Sequence, residues 1–244
     1  MRLEVQLIPG PPKIDLDIVV VIDVLRFTTS AAYALSNGAR SILPCGTVDA
    51  ARTAVRQAKT GRAMLAGERN AVRPDGFDLG NSPLEFTPAA VQDRDIIWTT
   101  TNGTRAIQLV LASATAPRDA ILLSYVNLTA VAALLEPRLR EDAVVAVACS
   151  GREGGFALED AACAGALVRR LHASLGDALT VNDGARASAC IDEAYGEDFA
   201  RLFRDAQHGR FLRDHGFGAD LQACGALDAL QVVPRWRDGR FVAG

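Results

Sequence analysis

Residues 18–22 read IVVVI, five consecutive β-branched side chains with no polar residue on either face. Such residues fit an extended, pleated backbone. A strand with one wet face would alternate polar and apolar positions. One that is apolar throughout must be covered on both faces, as happens in parallel sheets flanked by helices. Related runs return at 95–99 (DIIWT), 120–124 (AILLS) and 143–148 (AVVAVA), with shorter ones at 5–8, 41–43 and 63–66. Helical patterns lie between them: 27–36 closed by Asn37-Gly38, 48–59 capped by Thr47, 103–113, 127–139 and 157–174. The signal thins beyond, with helices expected at 180–195, 197–205 and 208–215. A short strand is expected near 231–233, and RDGR (237–240) reads as a turn before a last strand.

Alternating β and α elements predict an α/β fold, layered α/β/α with a largely parallel sheet. Residues 1–244 read as a single catalytic unit; a subdivision near residue 125, into two similar-sized subdomains with the site between them, stays open. Residues 67–94 form a long polar stretch rich in Gly and Pro, and loops of that length in compact domains are usually functional.

Composition removes some classes. Acidic residues outnumber basic ones, 29 against 26, so the basic excess of general nucleic-acid binders is missing. Cys45, Cys149, Cys163, Cys190 and Cys224 contain no CxxC pair, which fits reduced thiols and a cytoplasmic location. No apolar run is long enough for a bilayer, and MRLEVQLIPGPPK lacks a signal-peptide pattern, so no membrane association is expected.

Ligands of open α/β sheets bind beyond the carboxyl ends of strands. Four strand ends here carry polar clusters: Asp23 and Arg26; Gly67 and Glu68; Thr99 to Thr104; and Ser150, Gly151, Arg152 and Glu153, with Glu159 and Asp160 a helical turn further on. If the strands are parallel, all four lie along one edge. In TTTNGTR, Asn102-Gly103 can turn tightly before a helix whose first N–H groups are unpaired. With the hydroxyls of Thr100, Thr101 and Thr104 they suit a phosphate; a plain helix cap by Asn102 or Thr104 is the alternative. Asp23 suits a hard cation such as Mg²⁺, and Arg26 a phosphate or carboxylate, unless the two form a local ion pair. Thr28 and Thr29 open a second helix with hydroxyls. Glu159 and Asp160 are adjacent and must diverge on a helix. His172, His208 and His215 lack metal-ligand spacing, and His208-Gly209-Arg210 reads as a solvated turn, with a late anion contact as the alternative.

Two formal motifs fail on context. Asp15-Leu16-Asp17-Ile18-Val19 matches DxDxV, but its first Asp precedes the strand instead of ending it. Cys163 and Arg169 match Cx₅R, but Cys163 sits inside a helical pattern.

Several segments, in order along the chain, resemble the 2-phosphosulfolactate phosphatase family: VIDVLRFTTS, LAGERNAVRPDGFDLGNSPLEF, TTTNGTRAI, CSGREGGFALEDAACAGAL and HGRFLRDHGFGADLQAC. The resemblance implies a Mg²⁺-dependent phosphatase acting on a small anionic phosphate ester, releasing sulfolactate on a route towards coenzyme M. It also implies an α/β fold and a homo-oligomer, expected as a dimer. Asp23 and Arg26 match the family's DxLR segment. Glu68, Asp78, Asn81 and Ser82 match its GE…GFDxGNSP segment, with Asn70-Ala71 where a glycine is expected. Thr100 to Thr104 match TTNGT; Ser150, Gly151, Glu159 and Asp160 match CxG…LED. The expected catalytic set is Asp23, Arg26, Glu68 and Asp160, with Asp23, Glu68, Glu159 and Asp160 as metal ligands. Thr28, Thr29, Asn81, Ser82, Thr100, Thr101, Asn102, Gly103, Thr104, Ser150, Gly151 and Arg152 are expected around the substrate. The nucleophile is water or Asp23. A non-catalytic sensor of phosphorylated metabolites is the alternative function.

Overall fold

The computed structural model describes residues 1–11, 14–58, 61–111 and 119–244. The ends of the expected helices 48–59 and 103–113 fall outside these residues. The strands are β1 (Arg2–Gln6), β2 (Ile18–Ile22), β3 (Ser41–Pro44), β4 (Ala63–Gly67), β5 (Asp95–Thr99), β6 (Asp119–Leu123), β7 (Val144–Cys149), β8 (Thr180–Val181), β9 (Pro234–Arg237) and β10 (Arg240–Ala243). The helices are α1 (Phe27–Ser36), α2 (Val48–Gln57), α3 (Pro88–Val91), α4 (Gly103–Leu111), α5 (Leu128–Arg140), α6 (Leu158–Leu175), α7 (Asp183–Tyr195), α8 (Phe199–Asp205), α9 (Gln207–Asp214) and α10 (Gly218–Cys224).

The strands form one sheet in the order β4-β5-β3-β10-β9-β6-β2-β7-β1-β8. It is α/β and mostly parallel, as expected, but its two parallel blocks differ in sense. β3, β4 and β5 run together, and so do β1, β2, β6, β7 and β8. The antiparallel β9–β10 hairpin joins them, touching β3 through Phe241 and Ile42 and β6 through Arg235 and Ile121. The blocks therefore point in opposite senses along the sheet. In a flat sheet that would separate their carboxyl ends. Each step twists by about 20–25°, so five steps from β5 to β2 turn the strands by roughly 100–125°. Both sets of carboxyl ends can then approach one corner, rather than the single straight edge expected.

The doubly apolar strands are covered on both faces. Ile18, Val20 and Ile22 face a core with Leu128, Val131 and Leu135 of α5 and Leu167 and Leu171 of α6. Val19 and Val21 face a second core that also holds Ile42, Ile96 and Trp98 of the other block, with Phe27 of α1 and Ile107 of α4. The two blocks thus share a core through α1 and α4, the helices that start at the site. A third core puts Leu65 and Ile97 against Ala51 of α2. Trp98 is fully buried, stacked on Phe86 (centroids 4.4 Å apart) and edge-on to Phe27 (5.3 Å). Aromatic pairs of this kind contribute about 0.5–1.5 kcal/mol each beyond burial. Its indole N–H donates to Asn81 Oδ1 at 3.2 Å, so this packing also sets a residue of the site.

Candidate functional site

The four strand ends converge. A cavity of about 160 Å³ is lined by Asp23, Arg26, Glu68, Asn81, Thr100, Thr101, Asn102 and Arg152, together with Asn70, Ala71, Glu153, His208 and Phe211. It lies where the loops after β2, β4, β5 and β7 meet the first turn of α9.

Asp23 is buried, and its Oδ1 accepts the Phe27 N–H at 3.3 Å. Its pKa rises to about 7: burial is the main cause, the nearby Glu68 and Glu159 carboxylates add to it, and the Phe27 and Gly103 N–H groups oppose it. Gly103 has to be glycine for this contact. A Cβ there would stand 2.5 Å from Asp23 Oδ2 and 2.7 Å from Phe27 Cδ1.

Glu68 is buried and holds two loops. Its Oε1 accepts the Thr101 N–H at 2.7 Å, and its Oε2 accepts the Ala71 N–H at 2.9 Å and the Thr101 hydroxyl at 3.2 Å. The turn into α4, expected to offer N–H groups to phosphate, thus faces the protein's own carboxylates at Thr101 and Gly103. Thr100 and Thr104 cap each other: Thr104 N–H donates to Thr100 Oγ1 at 3.1 Å, and Thr100 N–H donates to Thr104 Oγ1 at 3.0 Å. Asn102 Oδ1 accepts the Glu153 N–H at 3.1 Å, tying the β5 loop to the β7 loop.

The Asn70-Ala71 departure has a geometric answer. Arg69 and Val72 exchange both backbone hydrogen bonds around Asn70 and Ala71, whose φ values are 53° and 65°. Asn tolerates this left-handed geometry. Ala does so at a cost of about 1–2 kcal/mol, which the hydrogen bond to Glu68 helps offset.

Arg26 is 2% exposed. Its Nη1 donates to Asp220 Oδ2 at 2.5 Å and its Nη2 to the Ala71 carbonyl at 3.4 Å, while the guanidinium lies 4.2 Å above the Phe217 ring. The Leu25–Arg26 peptide bond is cis. Arg152 lies over Phe211, 4.8 Å from the ring centroid. His208, expected on a solvated turn, instead sits in the first turn of α9 on the cavity wall. Burial, with Arg152 and Arg26 nearby, pushes its pKa down to about 3, so it is a neutral hydrogen-bonding group near pH 7.

Other expected residues brace the walls. Asp160 Oδ1 accepts the Val24 N–H at 2.9 Å and its Oδ2 the Gly151 N–H at 3.0 Å, so it ties the β2 loop to the β7 loop; burial, then Glu159 and Asp23, pushes its pKa well up. Glu159, buried beside His208 (3.7 Å), rises to about 7 through burial. Thr28 and Thr29 return their hydroxyls to the carbonyls of Asp23 and Val24. Ser82 Oγ donates to Asp220 Oδ1 at 2.7 Å, and Asp78 Oδ2 accepts the Leu65 N–H. The Ser150 hydroxyl is buried without a hydrogen-bond partner, in the wall of a smaller cavity behind Asn102. Among the described residues, no three His, Cys, Asp or Glu side chains gather as a metal cage, and no helix is long and apolar enough to cross a membrane.

Residues 5–239 match the family model described as 2-phosphosulpholactate phosphatase. The chain belongs to the 2-phosphosulfolactate phosphatase family. Membership makes it a phosphoric monoester hydrolase. Among curated proteins, it is 36% identical over 241 residues to the "Probable 2-phosphosulfolactate phosphatase" of Pseudothermotoga lettingae, covering 98% of both chains. Proteins of the same name are 37% identical in Symbiobacterium thermophilum (96% of this chain, 97% of the relative) and 40% in a Synechococcus strain (88% and 87%). The family's DxLR, GE…GNSP, TTNGT and CxG…LED segments meet around this one cavity. Sequence reasoning did not pick out Asp220, Phe211 and Phe217. The resembling segment HGRFLRDHGFGADLQAC carries all three and was the available signal.

Proposed function

We propose that this chain hydrolyses 2-phosphosulfolactate to sulfolactate and phosphate with the help of Mg²⁺. The supporting observation is the convergence of two carboxylates, Asp23 and Glu68, with two guanidinium groups, Arg26 and Arg152, in one small cavity. Mg²⁺ is held by one or two carboxylates plus phosphate and water, and a site lacking a full protein cage fits that habit. Asp23 and Glu68 would hold the ion, which would neutralise phosphoryl charge and lower the pKa of the attacking water.

The chain's own groups do the rest. Arg26, fixed on Phe217, donates to the phosphoryl oxygens as charge builds on them. Asp23, whose burial raises its pKa to about 7 in the absence of a cation, would be held ionised by the ion, and its remaining lone pairs can orient the attacking water. Glu68, held by Thr101 and Ala71, keeps the β4 and β5 loops at a fixed spacing. Arg152 and neutral His208 offer N–H donors to the carboxylate or sulfonate. The free cysteines of the described residues fit a cytoplasmic setting, and a homo-oligomer belongs to the same reading by resemblance.

The test is phosphate release from 2-phosphosulfolactate. Turnover should need Mg²⁺, stop with EDTA and return on adding Mg²⁺. Full turnover in EDTA would remove the cation, and no release under any condition would remove the substrate.

A second expectation concerns stability. Asp23, Glu159 and Asp160 have folded pKa values raised above those of free carboxylates. The native state therefore binds more protons than the unfolded one, and the contribution of Asp23 and Glu159 falls as pH rises from about 4 through 7, with Asp160 acting in the same direction. A cation held by Asp23 favours the ionised form. The rise in melting temperature on adding Mg²⁺ should therefore grow between about pH 5 and pH 8. A Mg²⁺ effect independent of pH would contradict this.

A further inference from the structure

Arg26 is a buried cation whose direction is set from outside its own loop. Asp220, on α10 and 3% exposed, accepts from Arg26 Nη1 through Oδ2, and its Oδ1 accepts the Ser82 hydroxyl at 2.7 Å. Phe217 supports the flat face of the guanidinium. Both carboxylate oxygens of Asp220 are thereby engaged, so its rotamer is fixed and fixes that of Arg26. Asp220 is absent from the residues lining the cavity, so its influence has to pass through Arg26.

We propose that Asp220 is the positioning residue for Arg26, with Ser82 and Phe217 completing a clamp that aims the guanidinium at the phosphoryl group. This rests on the reading of the cavity as a phosphate-ester site. Without the clamp, Arg26 keeps its charge but gains rotamers, and a donor misplaced by an ångström loses most of its effect on a developing charge.

The test is a cycle of variants read by two measurements: binding of inorganic phosphate by calorimetry in the presence of Mg²⁺, and kcat/KM for 2-phosphosulfolactate. Asp220→Asn keeps the shape and removes the charge. It should weaken phosphate binding and lower kcat/KM by roughly 10-fold to 100-fold. In an Arg26→Ala background the same change should alter either by less than about 2-fold, because residues acting as one unit are not additive. A merely structural Asp220 would show its full effect in both backgrounds, and that result, or no effect in either, overturns the proposal. If Asp220→Asn does not fold, Ser82→Ala decides. A several-fold loss with Arg26 present that vanishes without it supports the clamp, and unchanged binding overturns it. Phosphate binding does not depend on which ester is the substrate. Lack of turnover with an intact binding cycle would therefore count against the substrate and leave the clamp standing.

Discussion

Asp23→Asn is expected to lower phosphate release by about three orders of magnitude or more, equivalent to roughly 4 kcal/mol of transition-state stabilisation. Its melting temperature should stay level or rise. The amide has nearly the shape of the carboxylate and can still accept the Phe27 N–H through its oxygen. It is a poor cation ligand and a weaker acceptor for the attacking water. The native structure holds the ionised carboxylate at a cost, since burial and the charges of Glu68 and Glu159 raise its pKa to about 7. A neutral isostere relieves that repulsion. Initial rates and a melting curve on the same preparation check both halves. More than about a tenth of wild-type turnover, far above the three-decade loss, would take Asp23 out of the chemistry.

Gly103→Ala should damage fold and activity together. The new methyl would stand 2.5 Å from Asp23 Oδ2, 2.7 Å from Phe27 Cδ1 and 3.0 Å from Phe27 Cβ. Phe27 cannot retreat, because it is fully buried and edge-on to Trp98. Asp23 must therefore leave its contact with the Gly103 N–H. Overpacking of this kind costs about 1–3 kcal/mol, or roughly 3–10 °C in the melting temperature of a chain this size. A carboxylate displaced by about 1 Å should cost a further factor of about 100 in turnover. Wild-type melting and rates would show that the Gly103 contact matters to neither.

These two residues were visible in the sequence for different reasons. IVVVI and DIIWT are apolar on both faces, and the strands run over 18–22 and 95–99 as expected. The polar residue after each such strand lies beyond a carboxyl end, which is how Asp23 and Thr100 to Asn102 could be placed together. The FTTSAAYALS helix also matches its expected bounds. The rule fails where packing, not periodicity, decides. GADLQAC is too short for a helical period to emerge, so α10 and its Asp220 went unread. Thr180 and Val181 join the sheet beside β1, although they were expected to begin a helix. The late strand expected near 231–233 is found at 234–237, its place set by a hairpin partner. The opposite sense of the two blocks also left no trace, because strand direction depends on which neighbours pair.

That hairpin has a consequence for biogenesis. Residues 234–243 are the seam between the halves of the sheet, and they follow β1 to β8 in the chain. Until they emerge from the ribosome, the nascent polypeptide can hold two half-sheets but not close them into one. Catalytic competence should therefore appear only after the seam is sewn, well after Asp23 itself has been made.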